Sequence, residues 1–268
     1  MLRDTPWEAI AEHLATARRV RPQLMPLVDA LDPVLALVHR EAQAASLPQI
    51  PLAEPEVRNG VGLPVLSRPE FPVDVDEGIR VFRQLVAGAP TFALRQQAED
   101  PKWIEEVLLA YVAGDLRAAP SDGEAMHAMQ QLTFFAGLAL LPGLEAAATC
   151  LGRWVSPAWG EAICPVCGTQ PRLAELRAPE GRRHLHCGFC GWAWAYRRSG
   201  CPFCESADGR GIELLAVEDD PRCKVELCRG CRRYLKLVDN HECFGLVPTL
   251  EDLLTPHLDL LATGRGYR

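Results

Sequence analysis

Residues 184–204 read HLHCGFCGWAWAYRRSGCPFC and contain two Cys-x-x-Cys pairs that are ten residues apart. If these two pairs bound one metal ion together, their four sulfurs would have to lie within about 4 Å of one another. However, residues 191–198 alternate with the period of a β-strand, which rises about 3.3 Å per residue and would carry the chain about 25 Å away. This stretch is therefore predicted to connect two metal sites and not to form one site of its own.

Four Cys-x-x-Cys pairs account for eight of the 11 cysteines, and 19, 10 and 23 residues separate successive pairs. Two such pairs separated by about 15–20 residues are typical of a closed tetrahedral thiolate site. Pairing in sequence order then predicts a first site of Cys164, Cys167, Cys187 and Cys190, and a second site of Cys201, Cys204, Cys228 and Cys231. Either zinc or iron suits four thiolates. Because such a site has no open coordination position, no catalytic residue and no organic cofactor are predicted.

The residues around these pairs complete the expectation for the sites. A glycine follows the second cysteine of both pairs in the first site, whereas Glu205 and Arg232 stand there in the second, which predicts a less regular second site.

Three cysteines remain outside the four pairs. Cys150 is predicted to be a buried thiol, and Cys223 and Cys243 are predicted to be structural or free thiols.

Two histidines, His184 and His186, are expected to be strand residues rather than ligands, because four cysteines are already available. A basic run, Arg182-Arg183 and Arg197-Arg198, flanks the aromatic residues Trp192, Trp194 and Tyr196. This pattern fits a sheet face and a partner-docking surface about equally well. The docking interpretation selects Trp192, Trp194, Arg197 and Arg198.

Composition indicates a cytoplasmic globular protein. The chain has 268 residues, of which 48% are hydrophobic and 24% charged. No signal peptide is expected at the amino terminus, and the apolar run at residues 132–144 reads as a buried helix, so no membrane insertion is expected. In the reducing cytosol, paired cysteines are far more often metal ligands than disulfides.

The charge distribution argues against nucleic acid as a partner. The net charge is −7, and residues 164–236 contribute +4 to it through 13 basic and 9 acidic residues. Each four-cysteine site with a divalent metal carries a charge of −2, so two sites would cancel that excess. The remainder of the chain is acidic and would repel a polyanion.

The fold class predicted is α+β. Helical periodicity dominates the first 160 residues, with helices expected at residues 6–20, from residue 22, and at 74–86, 100–112 and 122–154. Prolines are expected to kink or divide the second helix and to interrupt the last one near Pro142, and residues 46–73 are expected to form a loop. Extended runs are expected at 184–186, 191–198, 213–217 and 234–238.

These patterns predict an N-terminal all-α domain followed by two tandem rubredoxin-like or zinc-ribbon-like four-cysteine β subdomains and a C-terminal helix. The boundaries expected are 1–158 for the helical domain, 159–199 and 200–247 for the two metal subdomains, and 248–268 for the helix, at about residues 250–262, and tail.

The chain resembles the formate dehydrogenase accessory protein family, FdhE. The residues that carry the resemblance are ICPVCGTQP at 163–171, RHLHCGFCGWAWAYRRSGCPFC at 183–204, VELCRGCRRYLKLV at 225–238 and LEDLLTPHLDLLATGRGY at 250–267. All eight paired cysteines fall on positions of the family's motifs. The resemblance implies a cytoplasmic, non-enzymatic maturation factor with two rubredoxin-like iron sites, which acts on the catalytic subunit of a respiratory formate dehydrogenase before export.

Two other functions stay open from the sequence. A rubredoxin-type electron carrier would need a reversible iron couple, but the helical half has no obvious use in one. A zinc-ribbon nucleic-acid binder would show salt-dependent affinity, which the acidic remainder of the chain opposes. The sequence also leaves open zinc in place of iron and a homodimer.

Overall fold

The helical domain comes first in the chain and its helices begin and end at recognisable signals. A computed structural model describes residues 1–88, 92–117, 123–206, 211–217, 220–241 and 247–268. Asp74 and Asp100 cap two of the helices, because their side chains accept hydrogen bonds from the backbone N–H groups of Glu77 and Lys102. The helices of this domain are α1 (Trp7–Val20), α2 (Met25–Ala44), α3 (Pro55–Gly60), α4 (Val75–Ala87), α5 (Phe92–Gln97), α6 (Pro101–Ala113) and α7 (Gly123–Gly152).

Two internal prolines do not divide their helices, so the interruption expected near Pro142 is wrong, and of the kink or division expected in the second helix the division does not occur. Helix α2 is continuous through Pro33. Helix α7, which has 30 residues in all, is continuous through Pro142. An internal proline costs about 3 kcal/mol or more in an isolated helix, but α7 packs against α2, α4 and α6 and buries its apolar face there. The segment expected as a loop at 46–73 likewise contains the short helix α3.

Helix α7 is the central helix of this domain. By length and composition alone, its residues Ala128–Gly152 could cross a membrane, but 67% of its apolar window is buried inside the fold. Such burial is what the core helix of a globular domain shows.

The second half of the chain forms one six-stranded sheet rather than two separate ones. Its strands are β1 (Pro171–Arg177), β2 (Arg182–Cys187), β3 (Ala193–Ala195), β4 (Ile212–Val217), β5 (Asp220–Cys228) and β6 (Tyr234–Asn240). The spatial order is β3-β2-β1-β6-β5-β4. All neighbours are antiparallel except β1 and β6, which pair in parallel with Leu173 opposite Lys236. Two three-stranded meanders therefore lie side by side in the same sheet, as repeats of one unit.

The sequence predicts four of these strands and misses two. Strand β3 has only three residues, fewer than the run 191–198 suggests, because Gly191 and Trp192 lie in the segment closed by the hydrogen bond from the Cys187 N–H to the Trp192 carbonyl. The missed strands are β1 and β5. Each of them has a proline at or near its start and carries charged residues, which hide the period-two pattern.

The tail forms two helices, α8 (Pro248–Leu253) and α9 (Pro256–Gly264), where one helix at 250–262 is expected from the sequence. Pro256 separates them, since it disfavours helical geometry at Thr255 and donates no backbone hydrogen bond. Thr255 instead donates its hydroxyl to the Glu251 carbonyl, at 2.6 Å.

One main core joins the helical domain to the first cysteine unit. This core includes Leu14 and Val81 of the helices together with Cys164 and Phe189 of the cysteine region. A second, smaller core lies between the sheet and α9, around Val225, Leu227 and Leu258. The division at residues 158, 199 and 247 stays a prediction.

Candidate metal centres

The eight paired cysteines form two clusters, in the grouping that the sequence predicts. Within each cluster the four sulfurs lie within 4.8 Å of one another. The first cluster consists of Cys164, Cys167, Cys187 and Cys190, and the second of Cys201, Cys204, Cys228 and Cys231. Closest Sγ–Sγ distances are 3.4 and 3.7 Å in the first cluster and 3.7 Å for two pairs in the second. A tetrahedron with metal–sulfur bonds of about 2.3 Å has edges of about 3.8 Å. The clusters therefore have the dimensions of closed thiolate sites.

Four turns of the same design present these cysteines. In every turn the backbone N–H of the first cysteine donates to the carbonyl of the residue five positions later, at 2.8–3.2 Å. The acceptors are Thr169, Trp192, Ser206 and Arg233. We call each of these six-residue turns a knuckle, since it directs two sulfurs to one side.

The residue after the second cysteine has the same left-handed backbone in all four knuckles. Its φ angle is 74° and 73° at Gly168 and Gly191, and 57° and 58° at Glu205 and Arg232. The expectation of a less regular second site is therefore wrong for the backbone. A side chain in this conformation costs roughly 1–2 kcal/mol, so the second site holds the same geometry under strain.

The first cluster is enclosed by the helical domain. All four of its cysteines are buried. Backbone N–H groups of Val65 and Leu66 donate to carbonyls of the first knuckle at 2.8 and 3.1 Å. Phe189, in the next knuckle, packs edge-on against Phe71 at 5.5 Å, with the Arg68 guanidinium 4.5 Å from its ring. This cluster is thus part of the main core.

Burial affects the sulfurs of the first cluster directly. It raises the pKa of Cys164 and Cys190, because a thiolate is poorly solvated there. Burial also opposes ionisation of Cys167, but hydrogen bonds from the neighbouring thiols outweigh it and lower the pKa of that residue. The buried hydroxyl of Thr169 lies beside Cys167 and contributes to this lowering as a hydrogen-bond donor. It would donate in the same way to a metal-bound Cys167 thiolate.

The second cluster lies at the surface. Cys204 is exposed and Cys231 is half-buried, whereas Cys201 and Cys228 are buried. Burial raises the pKa of Cys201 to about 12. At Cys204 a backbone hydrogen bond from Ser206 lowers the pKa to about 6. One edge of this cluster is therefore open to solvent.

Both clusters fit a four-coordinate metal ion of thiolate preference. Four thiolates complete a tetrahedron, so a bound ion would stabilise the fold and would not offer a position to substrate. Zinc and iron both accept this donor set. The geometry supports two metal sites and does not discriminate between the two metals.

The histidines next to the clusters take other roles, as expected. His186 contacts Glu175 through Nε2 at 2.8 Å, and His184 contacts the Arg182 carbonyl through Nδ1 at 3.3 Å. Neither histidine belongs to a described group of metal-ligating side chains, and both lie on strand β2.

The three remaining cysteines lie outside both clusters or outside the described residues. Cys223 is buried and donates its thiol to Glu251 at 2.9 Å. Cys150 is half-buried rather than buried, because its part of α7 reaches the surface. Cys243 lies outside the described residues.

The four residues of the docking interpretation divide into two groups. Trp194 is only 4% exposed and donates its indole N–H to the Glu161 carbonyl at 3.1 Å, so it packs in the core instead of facing a partner. Trp192 is half-buried against Gly152, where an added Cβ would meet the indole at 2.1 Å. Arg197 and Arg198 are exposed. A docking role for Arg197 and Arg198 stays a proposal.

A buried polar group links the second cysteine unit to the helical domain, and sequence reasoning misses it. Glu251 of α8 contacts His13 at 2.8 Å, Arg21 at 2.7 Å and the Cys223 thiol of β5. His13 and Glu251 are otherwise ordinary helix residues, and 230 positions separate Arg21 from Glu251. We call these four residues the Glu251 cluster. Nothing in a local pattern could have indicated it.

Fold and site together define a class: an α-helical domain joined to tandem four-cysteine units of the rubredoxin or zinc-ribbon kind. The sequence model described as "FdhE, central domain" matches residues 163–198, which contain all four cysteines of the first cluster. A crystal structure of the FdhE protein from Pseudomonas aeruginosa superposes with a TM-score of 0.71 at 22% identity, covering 96% of this chain and 90% of that one. That likeness establishes the fold.

Curated relatives agree with this assignment. The chain is 26% identical to the FdhE homolog of Aquifex aeolicus (strain VF5) over 221 residues, which are 79% of this chain and 74% of the relative. It is 28% identical to the homolog of Enterobacter sp. (strain 638), and that match spans 61% of this chain and 51% of the relative. A match at 29% to the homolog of Haemophilus influenzae (strain PittEE) spans 39% of this chain and 35% of that relative. These findings support the FdhE family, and the resemblance seen in the sequence is confirmed.

Proposed function

We propose that this chain is a cytoplasmic accessory protein that binds the catalytic subunit of a respiratory formate dehydrogenase and supports its assembly or activation. The observation that carries the proposal is the pair of closed four-cysteine clusters on a fold shared with FdhE proteins. A closed site has no position for substrate, which favours an accessory role over an enzymatic one.

Iron is the metal that we propose for both clusters, with zinc as the alternative. The proposal rests on the family resemblance, because the donor set accepts either ion. Elemental analysis combined with absorption spectra of aerobically and anaerobically purified protein tests it. Two irons per chain with red ferric-thiolate absorption support iron, whereas a colourless protein with two zinc ions contradicts it.

Binding and activation are tested by separate experiments. A tagged chain is used to capture the catalytic subunit from a host that expresses both, and formate oxidation is measured in a host from which the gene is deleted. We expect co-purification of the subunit and loss of formate oxidation that the wild-type gene restores. An intact activity in the deletion host, together with failure to capture the subunit, would contradict the proposal.

A second candidate is an electron carrier of rubredoxin type, which the exposed edge of the second cluster favours. Cys204 is open to solvent, and short distances to a partner support electron exchange. A redox titration of the iron-loaded chain separates the candidates. A reversible couple that exchanges electrons rapidly with a reductase favours the carrier, and a couple that does not exchange favours the accessory protein.

A further inference from the structure

We infer that three stacked arginines around the second cluster form a preorganised carboxylate-binding face, which docks an acidic surface of the protein partner. The inference rests on the proposed function for the identity of that partner, the catalytic subunit of formate dehydrogenase. Its members are Arg197, Arg232 and Arg233, and we call them the arginine face. None of them belongs to the two clusters themselves.

Each arginine lies over an aromatic ring. The guanidinium carbons of Arg197, Arg232 and Arg233 lie 5.2, 4.1 and 3.8 Å from ring centroids. The rings belong to Tyr196, Tyr267 and Phe203, in the same order. Stacking holds a guanidinium flat and leaves the N–H groups at its edge pointing outward. Less rotamer entropy is then lost when a carboxylate binds.

Neutral groups complete the support of two of these side chains. Arg232 donates to the Arg265 carbonyl at 2.8 Å, and Arg233 donates to the Gln170 side-chain oxygen at 2.7 Å. Among the residues that the structure describes, no carboxylate pairs with any arginine of the face. Elsewhere the arginines of this chain find acids, as Arg229 does with Glu213 at 3.2 Å. No carboxylate therefore occupies the edges of these guanidiniums, and the charge that balances them over a longer distance is that of the metal-loaded cluster itself.

The face surrounds the open edge of the second cluster. Arg232 follows Cys231 directly, and Arg233 reaches across to Phe203 in the opposite knuckle. Arg197 lies over Gly200, where an added Cβ would fall 3.1 Å from its Nε, next to Cys201. Knuckles of the first cluster, CPVCG and CGFCG, contain no charged residue. The same fold unit thus carries an arginine face only where it meets solvent.

An acidic protein surface suits this face better than nucleic acid does. Single-stranded nucleic acid binds by stacking bases on aromatic rings, but here the guanidiniums already occupy those rings. The remainder of the chain outside residues 164–236 carries a net charge of −11, from 15 basic and 26 acidic residues. A long polyanion would be repelled by it, whereas a local acidic patch would touch only the face.

The decisive measurement is the affinity of the metal-loaded chain for the catalytic subunit, determined by biolayer interferometry at low and at high NaCl concentration, about 50 and 300 mM. We expect the variant Arg197→Glu/Arg232→Glu to bind at least about tenfold more weakly at low salt and to lose most of the salt dependence. Its metal content is measured first. If that variant loses its metal, Arg197→Gln alone replaces it, because the Arg197 side chain makes no described hydrogen bond, and about threefold weaker binding is expected.

The matched control is Arg19→Glu/Lys102→Glu, which changes the net charge equally at two exposed positions of the helical domain. We expect it to bind like the wild-type chain. An unchanged affinity of the arginine variants, or an equal loss in the control, overturns the docking face while leaving the proposed function intact.

Absence of wild-type binding at both salt concentrations overturns the proposed function instead. The face is then judged with two labelled probes, a short Glu/Asp peptide and a DNA oligonucleotide of equal charge. Preference for the peptide that the arginine variants abolish supports the face. Equal or tighter binding of the oligonucleotide overturns it.

Discussion

The two cysteine clusters have the same knuckles and opposite surroundings. All four cysteines of the first are buried within a core that the helical domain shares, while the second leaves Cys204 exposed and Cys231 half-buried. Glycine occupies the left-handed position of both knuckles in the first cluster, and Glu205 and Arg232 occupy it in the second. One repeated unit can therefore serve as an interior support in one copy and as an accessible surface in the other.

The largest expected difference follows from removing one ligand of each cluster. Because Cys190 belongs to the main core, Cys190→Ala should cost most of the free energy of metal binding, about 10 kcal/mol in small zinc domains, and should destabilise the helical domain. Cys204→Ala should release the second metal and leave that domain folded. Thermal unfolding followed by far-ultraviolet circular dichroism, with metal content measured in parallel, distinguishes them. Equal melting temperatures for the two variants would contradict a supporting role of the first cluster.

The second prediction concerns the Glu251 cluster, whose buried polar contacts connect the second cysteine unit to the helical domain. Glu251→Gln leaves the Arg21 charge buried without its anion and should lower the free energy of unfolding by about 3–5 kcal/mol. It should also speed metal release from the second cluster more than from the first. Urea unfolding at neutral pH measures the first effect. Glu213→Gln is the control, because its partly exposed pairs with Arg229 and Arg265 are worth at most about 1 kcal/mol.

The same carboxylate gives this prediction a pH dependence. Burial alone would raise the pKa of Glu251, but the hydrogen bond from His13 and the charge of Arg21 lower it from 4.5 to about 2. A lowered pKa means that the stabilisation is complete above about pH 4.5 and is lost as the pH falls towards 2. The difference in stability between the wild-type chain and Glu251→Gln should therefore shrink over that window. A constant difference from neutral pH down to about pH 3 would be the opposite result.

Third, the metals should leave the two clusters at different rates. A chromogenic chelator in excess should remove one equivalent faster than the other, by on the order of tenfold, which corresponds to about 1.4 kcal/mol between their opening free energies. Cys204→Ala should eliminate the fast phase, since it removes the exposed ligand. A single phase with two equivalents would show that exposure does not control release.

The smallest expected effect concerns backbone strain in the second cluster. Glu205→Gly should stabilise the second unit by about 0.5–1 kcal/mol, because the relief of left-handed strain, about 1–2 kcal/mol, exceeds the entropy that glycine loses on folding. The fast phase of metal release should slow about two- to fivefold. Gly191→Ala is the mirror variant in the first cluster and should destabilise, since its φ is 73° and its Cβ would fall 3.3 Å from a Glu145 carboxylate oxygen. If both substitutions stabilise the protein, or if neither does, then backbone strain does not distinguish the two clusters.

How far the sequence predicts this molecule depends on the range of the interaction concerned. The grouping of the eight cysteines follows from spacing, and α4 and α6 follow from capping aspartates and periodicity, all of them local signals. The continuity of α7 through Pro142 does not, because packing against other helices offsets the local penalty.

Features made by distant residues lie beyond the reach of local patterns. The parallel pairing of β1 with β6, which fuses the two units into one sheet, joins segments about sixty residues apart. The burial of Trp194 reverses the docking role suggested by its position near the arginines, since the period-two pattern of tryptophan and alanine predicts two faces but not which one is covered. The Glu251 cluster combines residues of ordinary types from three parts of the chain.

The distance along the chain between Arg21 and Glu251 also has a consequence for synthesis. At about 5–20 residues per second, the 230 intervening positions take a ribosome roughly 10–50 seconds to add. During that time Arg21 lacks the Glu251 carboxylate, while all eight paired cysteines emerge before Glu251 does. The clusters can thus acquire metal on a nascent chain in which Arg21 and Glu251 are not yet in contact. Limited proteolysis of ribosome-bound chains stalled before and after residue 251 would time the closure, and equal protection of both would show that the ends meet by other contacts.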